Sequence, residues 1–225
     1  DANIPVLART LRSLGISLDR VLMIPDDFEL IAAEVRSMRA AFDLVFTSGG
    51  VGPTHDDLTI DAIAHAFACD VEVHPRLEAM LRGRYGDDVS EGHLRMARVP
   101  VGAKLVATEE MPWPATVMDN VWILPGVPQI FSMKMTLVRS SYGGLNPTFI
   151  TVSLFTTMSE AGLKPHLDAV VEAFPEVSIG SYPKWSNPSY RTEVTFDARD
   201  PEVVDRASDA LRSRLPADAV VDRSS

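Results

Sequence analysis

Apolar residues near the start recur at helical spacing: Ile4, Leu7, Leu11 and Leu14, with Pro5 near the first turn and Gly15 at the stop. The run DRVLMI (Asp19–Ile24) then reads as a buried strand. Phe28, Ile31, Val35, Met38 and Phe42 form a second helical stripe, followed by the strand DLVFTS (Asp43–Ser48). Ile60, Ile63 and Phe67 mark a third helix, and Pro75 opens a fourth. Between Gly92 and Trp113 the pattern is mixed and loop-like, with Leu105–Val106 as a short strand. TVMDNVWIL (Thr116–Leu124) reads as one strand, and Val127, Phe131, Met135 and Val138 begin another helix. Strands alternating with helices predict an α/β fold: three layers, with a mostly parallel sheet covered on both faces.

The pattern breaks at SSYGGLNP (Ser140–Pro147), small and polar with two glycines. Beyond it TFITVSLF is a strand, and Leu163, Leu167, Val170, Val171 and Phe174 make a helix. VSIGSY and YRTEVTF are strands. Asp200 and Pro201 then cap a helix through Val204, Ala207, Leu211 and Leu215, and AVV (Ala219–Val221) closes a last strand. The order βαββαβ is the ferredoxin-like arrangement. The expected organisation is therefore an α/β domain over 1–145 and a small ferredoxin-like α+β module over 146–225.

Composition narrows the function. At 225 residues, 46% hydrophobic and 23% charged, the chain is ordinary globular material, enough for one large domain or two modest ones. Its formal charge of −10 argues against sequence-independent binding to nucleic acid. An acidic chain that handles an anion needs backbone amides or a metal at the site itself. No apolar run approaches the length of a membrane span, and nothing resembles a signal peptide. The single cysteine, Cys69, rules out an intrachain disulfide and a cysteine-rich metal site, so a reducing cytoplasm is the expected location. The chain opens on Asp1 rather than Met, as a processed or incomplete product does.

The stretch TSGGVGPTHDDLT (Thr47–Thr59) lies after a strand and before a helix, where the carboxyl end of a sheet leaves its binding crevice. Gly49, Gly50 and Gly52 allow close backbone approach, and the helix start offers free N–H groups to an anion. It is neither a Walker loop nor a G-x-G-x-x-G turn. Thr54 and Asp57, three apart, also fit a capping box, and on spacing alone the two readings are even. A second acidic pair, Asp26-Asp27, follows VLMI and opens the next helix. If the two strands are sheet neighbours, both pairs share one rim and can hold a divalent cation; capping by Asp26 with Glu29 is the competing reading. LPGVP (Leu124–Pro128) is a third strand-to-helix turn, with Gly126 permitting close approach and Pro128 suited to a first helical turn. His55 is placed to ligate a metal or move a proton, while His65, His74, His93 and His166 are scattered. Arg95 and Arg98 in RMARVP are candidate anion contacts.

Together these motifs resemble the molybdopterin-binding domain superfamily of molybdenum-cofactor biosynthesis. TSGGVGPTHDDLT is similar to its GG-x-G…D-x-T signature, with Asp57 at the essential aspartate; IPDD is similar to its second acidic motif, and LPGVP to its Pro-Gly-x-Pro turn. The nearer resemblance is to the competence/damage-inducible protein A branch and the N-terminal domain of eukaryotic FAD synthases. That branch has G-P-T-x-D-D, a Lys-Met-Ala-x-x-P segment (RMARVP here, Arg95 at the lysine position) and an NVWILPGVP-like run. SIGSYPKW and the βαβ after it resemble the small domain of the same branch.

The resemblance implies a three-layer α/β domain, often oligomeric, with its ligand site at the loop edge. In the nearer branch it implies metal-dependent cleavage of a nucleotide pyrophosphate such as ADP-ribose or FAD. In the molybdenum branch it implies molybdopterin binding with adenylyl transfer or metal insertion. On this implication Asp57, Asp56 and Asp26 are catalytic and, with His55, hold a divalent metal (Mg, Mn or Co). Gly49, Gly50, Gly52, Pro53, Thr54, Thr59, Arg95, Pro125, Gly126 and Pro128 line the substrate. The leading expectation is a nucleotide pyrophosphatase; the alternatives are a molybdopterin-binding protein and a non-catalytic nucleotide or pterin binder. The expected partners are a small-molecule nucleotide or pterin and further copies of the chain, with neither nucleic acid nor membrane. Two departures stand out: the family's first strand with its Gly-x-Glu-x-x-x-Gly loop, expected before Asp1, and the amidase domain of longer relatives are absent from this sequence, so no amidohydrolase activity is expected.

Overall fold

The computed structural model describes residues 1–221, which divide into two compact units: residues 1–10 with 18–143, and 11–17 with 144 onward. In the first unit β1 (Val45–Ser48), β6 (Val121–Leu124), β5 (Ala115–Met118) and β4 (Lys104–Val106) form one sheet in that order. β6 is buried along its whole length, as an apolar strand with layers on both sides should be. Val121 and Ile123 pack with Val45 beneath α2 (Phe28–Ala41) and α3 (Thr59–Ala66), through Ile31, Val35 and Ile63. Trp122 points the other way, and its Nε1 donates to Tyr142 Oη (3.0 Å) in the last turn of α6 (Pro128–Tyr142). The three layers are therefore α2/α3, sheet and α6.

Four local expectations change. Thr116–Leu124 is a hairpin, not one strand: β5 and β6 meet across Asp119-Asn120, with Asp119 at φ +54°. Asp and Asn tolerate the left-handed backbone that two-residue hairpin turns need, which the surrounding apolar run conceals. This hairpin makes the sheet mixed: β1/β6 is parallel, while β6/β5 and β5/β4 are antiparallel. Asn120 also fastens the turn to α2, donating through Nδ2 to the carbonyls of Arg39 (3.0 Å) and Phe42 (2.8 Å).

The run Asp19–Ile24 is not a strand. It pairs with no strand among the described residues and leaves Val21, Leu22, Met23 and Ile24 38–77% exposed. Hydrophobicity alone does not make a strand; the backbone needs a neighbour to bond. The region read as loop holds α5 (Glu91–Arg95) and β3 (Arg98–Pro100), besides β4. β3 pairs antiparallel with β2 (Val71–Val73), and α4 (Pro75–Tyr85) buries Leu77 and Leu81 against Ala97 and Val99.

The second unit is a split βαβ. β7 (Ile150–Thr156), β8 (Ser178–Pro183), β9 (Thr192–Ala198) and β10 (Val220–Val221) lie in the order β10-β7-β9-β8, every neighbour antiparallel. α7 (Glu160–Ala173) and α8 (Pro201–Arg212) cover one face, closing a core of Leu154, Leu163, Val170, Val194, Phe196 and Leu211. This is the ferredoxin-like order read from the sequence. α1 (Asn3–Ser13) follows the first helical stripe, with Leu7 and Leu11 buried. Among the described residues no helix is long and apolar enough to cross a membrane.

Among the described residues, Lys134 is a buried core charge without a counter-ion. Lys134 on α6 is 3% exposed, and its Nζ donates to the carbonyls of Trp113 and Pro114. Burial pushes its pKa down to about 8, from an ordinary value of 10.5. Between those values the unfolded chain binds the extra proton, so this group makes stability rise with pH across that window. Lys134→Met should remove that rise. Denaturant unfolding at several pH values from about 7 to 10.5 should show the stability difference between the two proteins shifting toward the wild type as pH increases; parallel profiles would contradict it.

Candidate functional site

Parallel pairing places Ser48 opposite Leu124, so β1 and β6 end on the same rim. Gly49 N donates to Leu124 O (3.0 Å), which continues the ladder one residue into the first loop. The two glycine loops then touch: a Cβ added to Gly126 would lie 3.1 Å from Gly49 Cα, tighter than most real Cβ contacts. Buried Thr59 folds the first loop back on itself, its hydroxyl donating to Gly49 O (2.9 Å) and its N–H to Gly50 O (2.9 Å). Gly50 stands at φ +65° with Thr59 Oγ1 only 2.2 Å from where a Cβ would be, so no other residue fits.

A residue that sequence reasoning missed ties the loops together. Asn3, 4% exposed, donates through Nδ2 to Ser48 Oγ (2.9 Å) and to Gly126 O (2.9 Å). Its Oδ1 is buried without a hydrogen-bond partner among the described residues. Nothing in the local pattern marks Asn3, because both partners are remote in sequence; its position beside the cap of α1 was the one available hint. That cap is Asp1, whose Oδ1 accepts from the N–H groups of Asn3 (2.6 Å) and Ile4 (2.9 Å).

Asp57 lies inside the first loop and does not cap the helix that follows. Its Oδ2 accepts from Thr54 N (2.9 Å) and Thr54 Oγ1 (2.6 Å), and a Cβ on Gly52 would collide with the carboxylate at 2.6 Å. Partial burial pushes its pKa up, but bonds from the Thr54 hydroxyl and from the N–H groups of Gly52 and Thr54 outweigh this and hold it below the usual range. Asp56, exposed beside it, is lowered too, chiefly by the Thr54 hydroxyl and its own N–H. Two ionised carboxylates therefore stand side by side at the loop tip.

Capping sorts the loops from the rest of the fold. Side chains cap α2 (Asp27), α4 (His74), α5 (Ser90), α7 (Ser159) and α8 (Asp200). The helices after the two glycine loops have none: Leu58 before α3 and Val127 before α6 offer no acceptor. Thr59 N–H is taken by Gly50 O and Pro128 has no N–H, so the N–H groups of Ile60 and Asp61, and of Gln129 and Ile130, are the ones left for an anion. At the second acidic pair the cap is Asp27, which accepts from Leu30 N (2.8 Å), and not Asp26.

The other expected residues are dispersed. Asp26 is exposed and makes no hydrogen bond or ion pair with the 49–59 loop; Phe28, two residues on, packs against His65 in the last turn of α3. His55 is almost fully exposed, its Nδ1 4.0 Å from Asp56 Oδ1. α5 borders the loop, since a Cβ on Gly92 would sit 3.6 Å from Pro53 Cβ, which brings the helix carrying Arg95 alongside. Arg98 instead pairs with Asp61 of α3. Pro125 leads into the second loop, whose Gly126 is exposed, and Pro128 is the first residue of α6.

Among the described residues no three His, Cys, Asp or Glu side chains gather into a metal-holding group. Asp56 and Asp57 nevertheless fit a hard cation, which is commonly held by one or two carboxylates together with substrate phosphates and water.

If Asn3 holds the loops together, Asn3→Asp sets a carboxylate against the Gly126 carbonyl and should cost about 2 kcal/mol or more of stability. Asn3→Ala should cost about 1–3 kcal/mol. Thermal melts of both variants check this, and an unchanged melt for Asn3→Asp would contradict it.

Comparison with known proteins agrees with this fold. Residues 1–141 match the model of a family described as probable molybdopterin binding domain, and residues 148–224 match that of the FAD synthase middle domain. The chain is similar to a protein of Archaeoglobus fulgidus, 32% identical over 213 residues that cover 92% of this chain and 87% of the relative. It is also similar to the probable FAD synthase of Caenorhabditis elegans, 27% identical across 96% of this chain, although the chain spans only 46% of that protein's length. Among solved structures, CinA of Thermoplasma acidophilum, described as of unknown function, superposes with a TM-score of 0.55 at 27% identity, covering 62% of this chain and 87% of that one. With glycine loops, acidic tip and uncapped helices all falling within residues 1–141, the chain belongs to the probable molybdopterin-binding domain family.

Proposed function

We propose that this chain is a metal-dependent hydrolase of a nucleotide pyrophosphate such as ADP-ribose or FAD, acting at the two glycine loops. The observation that carries this reading is the pairing of opposites at one rim: two uncapped helix starts beside the ionised Asp56 and Asp57. Backbone amides suit a diphosphate, and the carboxylates suit the cation that accompanies it. The name of the FAD synthase relatives supports an adenine dinucleotide as the ligand.

In this reading the N–H groups of the loops and of the first turns of α3 and α6 bind phosphate oxygens. Asp57, with Asp56, holds the cation, and Thr54 fixes the Asp57 carboxylate in place. When bound, a divalent metal supplies Lewis-acid polarisation of a phosphoryl oxygen and an acidified water. Water adds across the P–O–P bridge, one P–O bond breaks, and AMP leaves with the second phosphate monoester. A pterin ligand is the second reading, favoured by the family model that matches the first unit. Incubation with ADP-ribose, FAD and molybdopterin, with and without Mg²⁺, Mn²⁺ or Co²⁺, separates them. AMP released only with metal supports hydrolysis; tight pterin retention without product supports the second reading.

Asp57→Asn keeps the shape and an acceptor for Thr54 but removes the charge. Its melting should change by at most about 1 kcal/mol equivalent, while turnover or metal binding drops by orders of magnitude. Early melting with normal turnover would make the carboxylate scaffolding.

A further inference from the structure

The open face of the second sheet carries a trough that the loop site does not use. Strand alternation puts Val194, Phe196 and Ala198 of β9 beneath α7 and α8, and leaves Glu193, Thr195 and Asp197 on the other face. Over β8 and β9 this face hollows into a cavity of about 520 Å³, within the range of small-molecule sites.

Both ends are charged, and both are already neutralised. At one end Arg12 grips Asp197 with two nitrogens, and Thr151 donates to the same carboxylate (2.7 Å). At the other, Lys184 Nζ lies 3.0 Å from Glu193, which also accepts from Ser153 (3.1 Å). Glu193 and Asp197 stand four positions apart on one strand, so the pairs are about 13 Å apart. The carboxylates lie deeper than their cations, 18% and 22% exposed against 47% and 39%. An entering phosphate would meet spent cations with carboxylates directly beneath, so the trough favours an uncharged polar ligand.

Between the ends the lining is hydroxyl. Ser178, Thr195 and Tyr182 line the cavity, and their side chains make no hydrogen bond among the described residues. Gly180 makes the room: a Cβ there would meet Tyr182 Oη at 2.9 Å and Thr195 Oγ1 at 3.1 Å, so glycine lets the phenol lie back over the strand. Trp185, next to Lys184, is 90% exposed on a turn closed by Asn187 N donating to Lys184 O. A phenol beside hydroxyls, with an exposed indole one residue beyond the cavity-lining Lys184, suits a flat ring joined to a sugar.

We propose that this trough binds an uncharged nucleoside, its base against Trp185 and Tyr182 and its ribose hydroxyls on Thr195 and Ser178. The site is independent of the glycine loops. Titrating the full chain with adenosine, followed by tryptophan emission and amide shifts, should give saturable quenching with shifts at Gly180 and Thr195. AMP should bind this site more weakly than adenosine, and Thr195→Val should weaken adenosine about tenfold. Ser178→Ala, on the outer strand, gives the same readout should Thr195→Val fail to fold. Shifts confined to residues 49–59, equal affinity in a folded variant, or tighter binding of AMP at Gly180 and Thr195 would each overturn the proposal.

Discussion

The parallel pairing of β1 with β6 is the constraint from which the first unit's chemistry follows. Its register sets Ser48 against Leu124, so two strands far apart in sequence deliver their following loops to one place. The approach of Gly49 to Gly126 depends on that meeting. A Cβ at Gly126 would crowd Gly49, and Thr59 and Asn3 supply the hydrogen bonds that hold the contact. Shifting the register by one residue would turn buried β6 side chains to the opposite faces and pull the loops apart.

The same arrangement reconciles acidic side chains with an anionic ligand. Elsewhere in the fold acids and hydroxyls are spent on helix caps, as Asp27 and Asp200 are. At the rim, Asp57 is turned away from the helix and into its own loop, where Thr54 and Gly52 keep it ionised. Past Thr59, the helix starts keep positive ends and amides that no side chain caps, while the loop tip carries negative charge. A chelated nucleotide brings complementary charges to both.

Much of this was legible in the sequence. Gly49, Gly50, Gly52 and Asp57 announce a close-approach loop by composition, and the ferredoxin-like module follows from periodicity alone. What escaped was whatever depends on remote partners. Asp19–Ile24 has a strand's hydrophobicity but no neighbour to bond, and Val117 to Trp122 reads as continuous although Asp119 and Asn120 reverse the chain. Spacing could not say whether Asp26 or Asp27 caps α2, nor that Asn3 reaches Ser48 and Gly126. Lys134 sits on an apolar helical stripe, and only the tertiary contact with the Trp113 and Pro114 carbonyls explains its burial.

The central claim is that a diphosphate and its cation share the rim formed by the two glycine loops. A crystal structure with ADP-ribose and Mn²⁺, with the metal located by anomalous scattering, tests it most directly. The diphosphate should lie against the amides of residues 49–60 and 126–130, with manganese at the Asp56 and Asp57 carboxylates. Manganese elsewhere, or a nucleotide bound away from both loops, would contradict it.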